Sequence, residues 1–129
     1  MKYIVTHLSA DLDSITSCWL IKRFLPGWKK AKIILVPAGS TLNNKPADDN
    51  PEVIHVDTGL GRFDHHQTDE FTCATKKVFE YLQEKKYLKK NQIKPLERIV
   101  EFVNLIDHFQ EVYFPQAEND RYDFSLHQI

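Results

Sequence analysis

The stretch Tyr3-Ile4-Val5-Thr6-His7-Leu8-Ser9-Ala10-Asp11-Leu12-Asp13-Ser14-Ile15-Thr16-Ser17-Cys18-Trp19-Leu20-Ile21 passes from a strand pattern through a polar loop into a helix pattern. Tyr3 to Thr6 is a short apolar run of strand type that ends at the His7 loop, and the segment from Asp13 to Leu25 then reads as a helix, stopped by Pro26-Gly27. Ile15, Cys18, Trp19, Leu20, Ile21, Phe24 and Leu25 leave this helix few polar positions, so it is expected to be buried along most of its surface and to pack on a sheet.

Two more strands follow, Lys32 to Val36 and Val53 to Val56. The Pro-, Asn- and Asp-rich segment Pro37 to Glu52 between them is long for a turn but long enough for the crossover that a parallel pair requires. A helix is expected from about Thr72 to Lys86, with Ala74, Val78, Tyr81 and Leu82 on one face, and another beginning near Pro95, a residue suited to a first helical turn. This order predicts an α/β fold with a mainly parallel sheet flanked by helices. Ligands of such sheets bind outside the carboxyl ends of the strands, where His7 and Asp57 both fall.

The chemistry-bearing residues are His7, Asp11 and Asp13, then Asp57, then Asp64-His65-His66, then Asp107. Carboxylate oxygens and imidazole nitrogens are the ligands of hard or borderline cations, and so many acids gathered without a cation would repel one another. The pattern reads as a site for two divalent metals. An Asp before an apolar helix is ordinarily an N-cap, but capping uses one residue, whereas His7, Asp11 and Asp13 crowd one loop with no Lys or Arg between them. On a helix starting near Pro95, Asp107 falls inside the stripe of Leu96, Ile99, Val100, Val103 and Ile106, so it should point inward, where an ionised carboxylate needs a partner or a metal.

Thr6 to Ser17, with Phe63-Asp64-His65-His66 downstream, resembles the DHH phosphoesterase superfamily, whose four motifs map in order onto these residues. The resemblance implies a Rossmann-like three-layer DHH domain spanning residues 1–129, without the C-terminal substrate-binding domain such enzymes generally carry. It implies one ion held by His7, Asp11 and Asp57 and another by Asp13, Asp57, His65 and Asp107, with Asp57 bridging. His66 would contact substrate phosphate or assist the leaving group, and Asp64 would orient the loop. Arg62 is a further candidate for holding a phosphate bidentately. The expected cofactors are two divalent cations, Mn2+ first, with Mg2+ or Co2+ as alternatives. The expected activity is metal-dependent phosphodiester hydrolysis, exonuclease in type, on a phosphorylated small molecule or a short single-stranded oligonucleotide. The alternatives are an inorganic pyrophosphatase or polyphosphatase, and a non-catalytic metal- or nucleotide-binding module.

Composition sets the bounds. The chain has 129 residues, 42% hydrophobic and 12% aromatic, which fits one globular domain and excludes a disordered chain. A net charge of −1 excludes a global basic field for nucleic acid, and the run Lys85, Lys86, Lys89, Lys90 and Lys94 reads as a solvated face. Cys18 and Cys73 read as reduced, packed thiols within helices. With no signal peptide and no membrane-length apolar run, a cytoplasmic location without membrane contact is expected. His55, His108 and His127 are assigned no chemistry, and Phe124 to Ile129 reads as the start of a helix.

Overall fold

The computed structural model describes residues 1–9, 11–68 and 70–113, with backbone alone over 109–113. His127 and the Phe124–Ile129 segment lie outside the described residues. The elements are β1 (Tyr3–His7), α1 (Leu12–Phe24), β2 (Lys32–Val36), a short 3-10 turn (Leu42–Asn44), β3 (Val53–His55), α2 (Ala74–Glu84) and α3 (Lys90–Tyr113). Among the described residues the sheet has three parallel strands in the order β2-β1-β3, with Tyr3 opposite both Lys32 and Val53. No described helix is long and apolar enough to cross a membrane.

Strand alternation explains the layers. Ile4 of β1 and Ile54 of β3 join Leu20 and Ile21 of α1, Val78, Phe79 and Leu82 of α2, and Leu96 and Val100 of α3 in one core. On the opposite face lies His55, buried at the end of β3. Its Nδ1 donates to the carbonyl of Ala47 at 2.9 Å and its Nε2 accepts from the amide of Leu42 at 3.1 Å. The Pro37–Glu52 crossover is therefore tied down by a histidine that sequence alone left without a role.

The α/β class and the parallel sheet agree with expectation; the three-layer DHH architecture does not, because the three strands and three helices among the described residues are too few to build it. Two local readings are also corrected. The last helix starts at Lys90, not near Pro95, because Gln92 supplies an N-terminal cap: its Oε1 accepts from the Lys89 amide at 2.9 Å. Pro95 then sits in the second turn, giving up one helical bond near an exposed end. Cys73 is the N-cap residue of α2, outside the helix, although both cysteines are buried free thiols. α1 is buried along most of its surface, as expected, but Ile15 and Trp19 are exposed, because the sheet ends at β2 and nothing described covers that flank.

Candidate metal centre

The chain leaves β1 toward β2 through α1 and returns on the other side to β3, so the crevice between the carboxyl ends of β1 and β3 is the switch point where α/β sheets bind ligands. His7 closes β1, and Asp57 follows β3 by two residues. Asp57 has φ 57°, the left-handed region that Asp tolerates better than most residues, and its amide donates to the Phe63 carbonyl at 3.0 Å. Next to it Gly59 has φ +83°, and a Cβ there would lie 2.7 Å from Thr41 Cγ2. This sharp turn under the crossover aims the Asp57 carboxylate into the crevice.

Asp57 Oδ2 lies 2.9 Å from His7 Nε2, and its Oδ1 lies 3.5 Å from His65 Nε2. His65 Nε2 is in turn 3.8 Å from Asp13 Oδ2 and 3.2 Å from Asp107 Oδ2. In each of three groups the donor atoms lie within 4.8 Å of one another: His7, Asp11 and Asp57; Asp13, His65 and Asp107; and Asp57, His65 and His66. The chain thus brings His7, Asp11, Asp13, Asp57, His65, His66 and Asp107 together from four segments.

The two loop aspartates do more than face the crevice. Asp11 is the N-cap of α1: its Oδ1 accepts from the Ser14 amide at 2.9 Å, while Ser14 Oγ accepts from the Asp11 amide at 2.9 Å. Asp13 caps a different helix. Its Oδ2 accepts from the Ala74 amide at 3.1 Å and its Oδ1 from the Thr75 amide at 2.8 Å, the first amides of α2, whose own N-cap side chain makes no such bond. The Thr75 hydroxyl closes the arrangement by donating to the Asp13 carbonyl at 2.9 Å.

Asp64 organises the next loop. Its carboxylate accepts from the amides of Leu60 and His65, both at 2.8 Å, and from His66 Nδ1. His66 Nε2 is left 3.9 Å from Asp57 Oδ1, on a side chain that is 53% exposed. Burial works against ionisation of Asp64, but the His66 and Leu60 bonds outweigh it and hold the carboxyl at about 2. The Asp64 hydrogen bond raises His66 above its ordinary value.

Arg62 is not brought to the crevice. Its guanidinium lies 4.7 Å from the centre of the Phe63 ring and 5.1 Å from that of Tyr81, and its other contact is Asp48. His108, to which the sequence assigned no chemistry, is half-buried: Nδ1 donates to the Asn104 carbonyl at 2.8 Å, and the ring centre is 4.1 Å from Phe71 and 6.4 Å from His65. Its place beside Asp107 was the only signal for it. The inward stripe of α3 holds for Leu96, Val100 and Val103, while Ile99 is exposed.

The donor set fits cations on two grounds. Among the described residues, Asp57 Oδ1, Asp107 Oδ2 and His7 Nδ1 are buried without hydrogen-bond partners, an expensive state unless something positive or polar meets them. The titration of the cluster also demands positive charge. Burial, then the charge of Asp57, pushes Asp13 up to about 6; burial, then the charge of Asp13, pushes Asp107 up to about 8. Burial opposes protonation of His65, yet Asp57 and Asp107 carry it up to about 9. His7 rises through its bond to Asp57, and Asp11 through burial.

Each of these raised groups makes the folded chain hold more protons than the unfolded one. That contribution is complete below the ordinary values, 3.8 for the carboxyls and 6.5 for the histidine, and is lost as pH climbs through about 6, 8 and 9. Metal-free Tm is expected to fall over this range, and the increment on adding Mn2+ to grow, because ligands bind deprotonated. Scanning calorimetry in chelator and in Mn2+, at pH about 6 and about 8.5, checks this; an increment that stays flat would count against cation binding here.

A family model described as ChrB, C-terminal domain, matches residues 4–119. Comparison with curated proteins and with solved structures finds no match. The match overturns the DHH assignment. His-x3-Asp-x-Asp and Asp-His-His are short sets of oxygen and nitrogen donors, and any carboxylate–imidazole centre at strand ends calls for the same residue types whatever its ancestry. The matched span takes in all three strands, α1, α2 and every donor of the centre, and the chain belongs to the ChrB C-terminal domain family.

Proposed function

We propose that the chain is a divalent-metal-dependent hydrolase of phosphoester bonds, with Mn2+ as its ion and nucleotides or short oligonucleotides as its substrate class. The observation that carries this reading is Asp57, a single carboxylate whose two oxygens reach His7 on one side and His65 on the other. Two cations, when bound, would supply charge stabilisation to attacking and leaving oxygens and make water more acidic. His7 and Asp11 would hold one position with Asp57, and Asp13, His65 and Asp107 the other. Asp64 fixes His66 through Nδ1, so its partly exposed Nε2 stands at the mouth of the cluster. With its proton affinity raised by Asp64, His66 can deliver a proton to a leaving oxygen near neutral pH.

A metal-binding module without turnover is the second reading, and Arg62 favours it. Phosphate recognition calls for cationic donors, and the guanidinium expected to provide one is stacked over Phe63 and Tyr81. Hydrolysis of pyrophosphate, a bisphosphorylated adenosine nucleotide and a 5′-labelled RNA dinucleotide in Mn2+, by wild type and Asp57→Asn, tests both readings. Mononucleotide release that vanishes in the variant is the expected result. Orthophosphate from pyrophosphate alone would move the assignment to a pyrophosphatase. Mn2+ binding with no turnover would leave the module.

A further inference from the structure

Away from the crevice, an apolar groove of about 330 Å³ runs between α1 and the edge of the sheet, its lining including Ile15, Trp19, Ile33 and Leu35. These four are 57%, 44%, 47% and 48% exposed, a contiguous apolar surface of the kind that marks an interface. The strand beside the groove is also open. β2 pairs only with β1 among the described residues, and the bonds from the Lys32 amide to the Lys2 carbonyl and from the Leu8 amide to the Val36 carbonyl show which residues of β2 turn inward. In a parallel ladder both backbone groups of a residue point the same way and alternate along the strand. Lys32, Ile34 and Val36 therefore turn to β1, and Ile33 and Leu35 turn their amides and carbonyls outward. The two residues with outward backbone groups are the two whose side chains are exposed in the groove.

We infer that this edge is a homodimer interface, in which a second copy adds its β2 antiparallel about a two-fold axis at Ile34. That register sets Ile33 against Leu35 of the other copy, and Leu35 against its Ile33. The four outward backbone groups on each side meet their complements. A two-fold perpendicular to the sheet keeps the helices of both copies on one face, so the Ile15 and Trp19 flanks of α1 approach across the new seam and a six-stranded sheet results. The charged residues at this edge, Lys22 at the groove and Lys32 on β2, would repel if paired. In this register Lys32 lies opposite Val36, and the two Lys32 residues stand about 14 Å apart at the rim, beyond a Debye length at physiological salt. The edge is self-complementary in this register, so one two-fold operation pairs its outward backbone groups and covers the exposed apolar side chains of both copies at once.

Sedimentation of the whole chain in chelator, from low micromolar to submillimolar concentration, tests this. The expected mass is twice 15.1 kDa, halved in Leu35→Lys with an unchanged circular dichroism spectrum. Ile34→Cys should form a reducible cross-linked dimer on mild oxidation, since residues facing across the axis in a non-hydrogen-bonded pair are close enough for a disulfide. A wild-type chain that stays monomeric throughout overturns the inference and leaves the face to another occupant. A Leu35→Lys dimer, or no cross-link in Ile34→Cys, overturns it equally.

Discussion

Asp57→Asn is expected to weaken Mn2+ binding by about 100-fold or more, because one carboxylate serves both halves of the cluster and even residues that only orient a ligand are worth about 10- to 100-fold. Its oxygens lie 2.9 Å from His7 Nε2 and 3.5 Å from His65 Nε2, so the loss is felt on both sides. The substitution spares the fold. Asparagine tolerates the left-handed backbone at φ 57° as well as aspartate does, and the amide bond to Phe63 belongs to the main chain. Titration calorimetry on wild type and variant measures the change, with circular dichroism as the control. Unchanged affinity in a folded variant would remove Asp57 from the centre and with it the bridging arrangement.

Asp13→Ala is expected to destabilise the chain by about 2–4 kcal/mol even in chelator, from the loss of a helix cap and the desolvation of two buried donors. The Ala74 and Thr75 amides both donate to this carboxylate, and nothing else at the start of α2 replaces it. Asp107→Ala offers the contrast. No backbone amide among the described residues bonds to its side chain, and burial already pushes its carboxyl up to about 8, so its removal in chelator should change stability little. Urea unfolding of the two variants in chelator and in Mn2+ separates the roles: Asp13 is needed by the fold and by the cluster, Asp107 by the cluster alone. Equal stability losses in chelator would show that capping of α2 does not set Asp13 apart.

The three parallel strands, the placing of His7 and Asp57 at their carboxyl ends and the inward aim of Asp107 are legible in the sequence. These follow from alternation along a strand and periodicity along a helix, which are local properties written residue by residue. It also displayed the donors of the cluster, but not their ancestry, because donor chemistry is the same in unrelated centres. The rest is set by contacts between segments distant in the chain. Asp13 caps α2 across 61 residues of chain, His55 holds the crossover, Arg62 turns to Phe63 and Tyr81, and α1 leaves Trp19 exposed because the sheet stops at β2. Each of these depends on which neighbour is present at a face, and a one-dimensional pattern states that a face is apolar or charged without stating what meets it.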